Sequence, residues 1–229
     1  MAIILNIDTS SPVCSVCLAA HGKPVATRNA VPENKHASML SSMIMEVLAE
    51  AGLNMADISA VALSSGPGSY TGLRIGTSVA KGICYGRRIP LIGVPTLQGL
   101  AWQMAQAHPD PNGVYIPMVD ARRDDIYMAV YDVDNNMIEK DTFATASVVF
   151  YDIKAAYTVK NVYFGGTGAW KMEIICSNNE FGIVIENIIC VAANISAVSY
   201  EKYITDAFED ITSFEPFYLK EFESRMKVN

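Results

Sequence analysis

Histidine is scarce in this chain: three residues in 229, at positions 21, 36 and 108. No two of them have a metal-ligating spacing such as H-E-x-x-H, so a helix-borne zinc pair is excluded and all three are expected at the surface. Cysteine is also sparse, and its count of five is odd. That excludes a fully paired disulfide framework and fits a reducing compartment. Cys14 and Cys17 form a C-x-x-C, but in a segment that alternates like a strand, where i and i+3 point to opposite faces. Core thiols are expected there, not a redox or metal pair. No apolar run reaches the roughly 20 residues of a membrane helix. The greasiest stretch, FGIVIENIICVAANI, is broken by Glu186 and two asparagines. The opening MAIILNIDTS lacks a basic n-region and meets Asp8 early, so no signal peptide is expected and the chain reads as cytoplasmic. Acidic residues outnumber basic ones 24 to 17, a net charge of −7 whose long-range field opposes a polyanion. If nucleic acid is involved, a partner is expected to supply most of the basic surface.

What is present is a globular composition, 51% hydrophobic and 18% charged, long enough for one large domain or two small ones. Two halves share a plan. IILNID is an apolar strand ending in Asp8, followed by VCSVCLAA and PVATRNAV joined at an HGKP turn. VYIPMVD ends in Asp120, followed by IYMAVYD and MIEKDTF joined at a VDNN turn. The offset near 112 residues indicates an internal duplication. Residues 36–51 carry a helical apolar stripe through Leu40, Met43, Ile44, Val47, Leu48 and Ala51, with Gly52 as C-terminal cap. ISAVALSSG and IPLIGV read as strands, and 69–85 and 96–107 as helices. The second half repeats this with helices near 146–157, from Thr167 and near 191–204, and strands NVYFGG and GIVIENI. The alternation predicts an α/β protein with mixed sheets flanked by helices. Pro109, Pro111 and Gly113 place the expected boundary between residues 1–108 and 109–229.

The stretch SSGPGSYTGLRIG, residues 64–76, has the look of a phosphate loop. It is not one by spacing. A P-loop needs G-x-x-x-x-G-K-[ST], and Leu73-Arg74 stands where the lysine and hydroxyl belong. Gly66, Gly68 and Gly72 give G-x-G-x-x-x-G, one residue longer than a dinucleotide fingerprint. What remains is a strand, a tight turn with Pro67 and a positive-φ Gly68, and a helix capped by Ser69. Gly72 and Gly76 each cost about 0.8–1 kcal/mol of helix propensity relative to Ala, a cost that close approach of another backbone can offset. That backbone belongs either to the chain's own fold or to another subunit docked on helices 36–51 and 69–85. The opposite face carries Tyr70, Arg74, Thr77 and Lys81.

These residues resemble a known family. ILNIDTSSPVCSVCL, SSGPGSYTGLRIG, VPTL and MVDARRDDIYMAVY are together similar to the TsaB (YeaZ) family, with FGGTGAW and PFYLK as weaker matches and Lys220 standing where arginine is usual. The family is the small subunit of the bacterial machinery that makes threonylcarbamoyladenosine in tRNA, within a superfamily named for a supposed glycoprotease. The resemblance implies an actin-like, sugar-kinase and Hsp70 type of fold with two related lobes. It also implies a heterodimer with the metal-binding paralogue TsaD, an ATP-hydrolysing TsaE-like subunit, self-pairing as a homodimer when the paralogue is missing, and tRNA reached through the complex. ATP and a metal ion are then expected on the partner subunits, with no cofactor held tightly by this chain. The paralogue's two metal-binding histidines fall at Thr96 and Leu100, neither of which ligates as imidazole does. Where actin-like kinases have an Asp and a glycine turn, this chain has Asp8-Thr9-Ser10-Ser11-Pro12. Asp8 is thus at most a degenerate nucleotide contact, and capping its own loop is the favoured role. The docking surface is expected to include Leu40, Met43, Val47, Tyr70, Gly72, Leu73, Arg74, Gly76, Thr77 and Ala80, and Gly76→Leu is expected to break docking while leaving the fold intact.

Other chemistry is thin. Ser64, Ser65 and Ser69 lack an evident base and a G-x-S-x-G elbow. Arg122, Arg123, Asp124 and Asp125 form a charged loop, either solvated or bridging to a partner. A stand-alone ATPase or kinase would rest on Asp8 and the fold, and a metalloprotease only on the superfamily name.

Overall fold

The computed structural model describes residues 2–31, 36–158 and 160–219, leaving aside the side chains of residues 36–38 and 174. The surface position expected for His36 and the departure at Lys220 both lie outside what is described.

The first half runs β1 (Ile3–Asp8), β2 (Cys14–Ala20), β3 (Lys23–Ala30), α1 (His36–Glu50), β4 (Ala60–Ser64), α2 (Tyr70–Arg87), β5 (Leu91–Val94) and α3 (Thr96–Ala107). The second runs β6 (Gly113–Asp120), β7 (Asp125–Tyr131), β8 (Met137–Thr145), α4 (Ala146–Ala156), β9 (Asn161–Gly165), α5 (Trp170–Asn179), β10 (Ile183–Ile185) and α6 (Ser196–Ile204). A 3-10 turn at Ala192–Ile195 leads into α6. The sheets have orders β3-β2-β1-β4-β5 and β8-β7-β6-β9-β10, the same order twice. In each, a hairpin pair is antiparallel and the two following strands are parallel. The duplication expected from the two acid-ending strands is therefore a duplication of topology.

Strand β1 is buried on both faces, which is why it reads as an unbroken apolar run. Ile3, Leu5 and Ile7 face α1 and α2, while Ile4 faces the other way into a cluster with Ile92, Ile195 and Val198. Cys14 lies with the first set and Cys17 with a separate cluster beside Ala192, on opposite faces as the strand period requires. The second sheet packs one face on α4 and α5 through Val149, Phe150, Ile153 and Met172.

The third helix of each half crosses to the other. Leu97, Leu100, Ala101 and Met104 of α3 pack on Tyr115, Ala129, Tyr131 and Tyr163 of the second sheet. Val198 of α6 packs on the first sheet, and its neighbour Ser199 donates a 2.7 Å hydrogen bond to the buried Asn6 side chain. After α6 the chain stays on the first half: Glu209 N–H bonds to Leu91 O at 2.9 Å and Phe217 N–H to Ser65 O at 2.7 Å.

Candidate functional site

The loop after β1 is closed over Asp8. The carboxylate is 2% exposed and accepts three hydrogen bonds: from Ser10 N–H at 2.9 Å, Ser10 Oγ at 2.7 Å and Ser64 Oγ at 2.6 Å. Burial pushes its pKa above the usual carboxylate range, against the opposing pull of the Ser64 and Ser10 bonds. The Ser10 N–H bond is a strand-end carboxylate capping its own loop. Ser64 does have a carboxylate partner, which the sequence reading missed because the two residues lie 56 positions apart. The hydroxyl is buried and donates to an acid, an arrangement that fixes the loop.

Three of the four glycines of the 64–76 stretch serve that same loop. A Cβ on Gly68 would overlap the Ser10 carbonyl oxygen, one on Gly72 the Thr9 carbonyl oxygen, and one on Gly76 the Thr9 hydroxyl. Thr9 Oγ1 in turn donates to Gly72 O at 2.8 Å. Helix α2 thus lies directly on the backbone of the β1 loop, and the approaching backbone is internal. Ser69 caps the helix as expected, accepting from Gly72 N–H at 3.3 Å. The positive φ, however, belongs to Gly66 (117°) and not to Gly68, and the Gly66–Pro67 bond is cis. A Cβ on Gly66 would overlap Phe217 O, so this glycine admits the returning C-terminal segment.

The expected docking residues divide by burial. Leu40, Val47, Leu73 and Ala80 have no exposed surface, Met43 is 4% exposed and Thr77 7%, and all six side chains belong to the chain's own interior. Gly72 and Gly76 face Thr9. For these eight, a contact surface on the free face of the helices is corrected by the packing: the apolar stripe read from α1 is its core stripe. Tyr70 and Arg74 are reachable but engaged. The Arg74 guanidinium sits 4.3 Å over the Tyr70 ring and Nε donates to Tyr218 OH at 3.4 Å. Lys81 donates to Thr212 O at 3.3 Å and Phe214 O at 3.1 Å. The C-terminal segment therefore runs along the polar strip of α2.

What these helices present outward are residues that sequence reasoning passed over. Met45 of α1 is 60% exposed and Tyr85 of α2 80% exposed. Gly82 and Gly86 have open space where a Cβ would stand. Thr71, Ser78, Gly82 and Tyr85 fall on one exposed stripe of α2, at helical spacing. The signal was available: these glycines lie outside the motif's packing face.

Thr96 and Leu100 meet Asp8 at a crevice too narrow to enclose a water molecule, lined also by Gly99, Cys190, Asn194 and Ile195. Small-molecule sites usually enclose about 300–1,000 Å³, so this is not one. Thr96 Oγ1 is buried there without a hydrogen-bond partner among the described residues. Among those residues no three His, Cys, Asp or Glu side chains gather as a metal site requires. All five cysteines are free and buried, and burial raises Cys14, Cys84 and Cys176 to about 11, unsuited to a thiolate nucleophile. No helix among the described residues is long and apolar enough to cross a membrane.

Twice-repeated mixed sheets with a buried acid-ended first strand define a two-lobed α/β fold of the actin-like class. Solved structures share it. YeaZ from Pseudomonas aeruginosa superposes with a TM-score of 0.74 at 22% identity, over 96% of this chain and 100% of that one. The activator of 2-hydroxyisocaproyl-CoA dehydratase from Clostridium difficile, with bound ADPNP, does so at 0.56 and 10%, over 91% and 98%. The model of the family described as TsaD, tRNA N6-adenosine threonylcarbamoyltransferase, matches residues 29–221. The chain belongs to that family, on its TsaB/YeaZ branch. It is 38% identical over 137 residues to the tRNA threonylcarbamoyladenosine biosynthesis protein TsaB of Escherichia coli, and 31% over 137 residues to that of Bacillus subtilis. These alignments cover 59% and 60% of this chain and 57% and 58% of the relatives, so the chain spans less than two-thirds of the curated relatives it matches.

Proposed function

We propose that this chain is a non-catalytic subunit in the synthesis of threonylcarbamoyladenosine in tRNA, docking on a metal-bearing paralogue of the TsaD type. The observation that carries the reading is the state of the position that the resemblance matches to the aspartate of actin-like kinases: Asp8 is enclosed by Ser10 and Ser64 and faces a crevice lined by Thr96 and Leu100. A hydroxyl and an isobutyl group stand where the resemblance places the paralogue's two imidazoles. Catalysis, the metal ion and ATP then belong to the partners, including an ATPase of the TsaE type.

The contact surface we assign is the outward face of α1 and α2, with Met45, Tyr85, Gly82 and Gly86. An exposed tyrosine next to two glycines without neighbours suits close helix–helix packing, with the aromatic as an anchor. The same face serves self-pairing when the paralogue is missing. The test is to mix the chain with its own organism's TsaD-type protein and follow mass by size-exclusion chromatography with light scattering. A 1:1 complex is expected, and two unshifted peaks would contradict the reading. Turnover of ATP by the isolated chain would favour a stand-alone ATPase instead.

A further inference from the structure

The two copies of the acid-ended loop have diverged. Thr9, Ser10 and Ser11 after Asp8 are buried under α2. Its duplicate after Asp120 is open, and its tip is Arg122-Arg123, both exposed and both with left-handed φ, 70° and 48°. Glycine and asparagine are the residues that favour such positions in tight turns. Neither guanidinium forms an ion pair or a side-chain hydrogen bond among the described residues. Two of the neighbouring acids are already engaged. Asp120 takes Lys171 Nζ at 2.6 Å and Arg122 N–H at 2.9 Å, and Asp125 takes Thr145 Oγ1 at 3.2 Å. Lys171 also donates to Asp125 O at 2.6 Å, and its Nζ lies 5.5 Å from the ring of Trp170, which is 60% exposed. Lys171 therefore joins the base of the hairpin, Asp120 and Asp125, to the exposed indole, and the two arginines stand at the tip of that same hairpin.

We propose that Arg122, Arg123 and Trp170 form a direct RNA contact, the two guanidiniums on backbone phosphates and the indole against an unstacked base. This rests on the proposed role in tRNA modification and assigns to this chain a contact of its own. Exposed arginines and an exposed aromatic are the elements from which single-stranded RNA recognition is built. The overall charge of −7 supplies no long-range attraction, so the contact acts at short range and is strongest at low salt.

The test titrates an unmodified tRNA transcript into the full chain at low salt, reading Trp170 emission in a Trp102→Phe background. Native sequence is expected to show quenching. Arg122→Asn with Arg123→Gly suits the left-handed backbone, so the melting temperature is expected not to fall. Affinity is expected to drop about tenfold or more, with the salt slope reduced by about one per lost phosphate contact. Arg122→Lys with Arg123→Lys keeps the slope, which guards against a folding artefact. Absence of binding by the native chain, or equal affinity and slope in the Asn-Gly variant, overturns the proposal, as does loss of an acidic protein partner with tRNA titration unchanged. Modification that proceeds without this chain would sink the pathway role and leave the titration intact. Unaffected titration in a chain still required for modification would sink the contact alone.

Discussion

Gly72 has no room for a methyl group: its Cβ would fall inside contact distance of the Thr9 carbonyl oxygen, a backbone atom that cannot rotate away. Gly72→Ala is expected to lower stability by about 2–3 kcal/mol despite Ala's better helix propensity, as overpacking does. Urea denaturation of the isolated chain measures it, and an unchanged midpoint would contradict the packing described. Gly76→Leu, on the same face against Thr9 Oγ1, is expected to impair folding itself, the reverse of the docking-only effect that the sequence suggests. Asp8 gives a pH signature. Its folded pKa is raised by burial, so below its ordinary value near 4 both states are protonated and its cost vanishes. As pH rises through the window up to the folded pKa, the unfolded chain ionises first and stability falls. Asp8→Asn is expected to flatten that slope and to be at least as stable as the native chain at pH 7. A variant less stable at pH 7 would mean that the Ser10 and Ser64 bonds to the ionised carboxylate outweigh burial. At this scale the sequence showed that glycine was needed in residues 64–76, and spacing excluded a phosphate loop. It could not show whose backbone came close, because Thr9 and Gly72 are 63 positions apart.

Helices were legible as elements, and their inner faces were legible as stripes. Leu40, Met43, Val47 and Leu48 follow the 3.6 period and are the core contacts of α1. The same periodicity misled the choice of contact residues, since an apolar stripe marks the face a helix buries in its own fold before any other. Outward faces carry weaker patterns: Met45, Gly82 and Tyr85 stand among serines and small residues. Tyr85→Ala and Gly82→Leu are each expected to weaken binding to a TsaD-type partner by tenfold or more. Neither is expected to shift the melting temperature by more than a few degrees, because Tyr85 is 80% exposed and nothing stands near Gly82. Titration calorimetry with both variants checks this, and unchanged affinity would move the interface elsewhere. The returning segment that covers Arg74 and Lys81 was not legible at all. Its few bonds to Ser65 O and Leu91 O leave no periodic trace.

Across the whole molecule, the duplication was legible from two apolar strands ending in Asp8 and Asp120. The exchange of third helices was not, because α3 and α6 carry amphipathic patterns that do not say which sheet they cover. That exchange ties the halves together. Ala192 N–H bonds to Ser15 Oγ at 2.8 Å and Ser199 to Asn6 at 2.7 Å, both buried and both spanning the molecule. Calorimetric unfolding is therefore expected to show one transition, with equal calorimetric and van't Hoff enthalpies, and two separate transitions would contradict it. The filled position beside Asp8 carries the functional account, since a chain so packed is expected to lend surface to chemistry done elsewhere. Reconstituted modification of a tRNA transcript, with each protein omitted in turn, tests this most directly. The account predicts product only when this chain and its TsaD-type partner are both present with ATP. Threonylcarbamoyl transfer by this chain alone would contradict it.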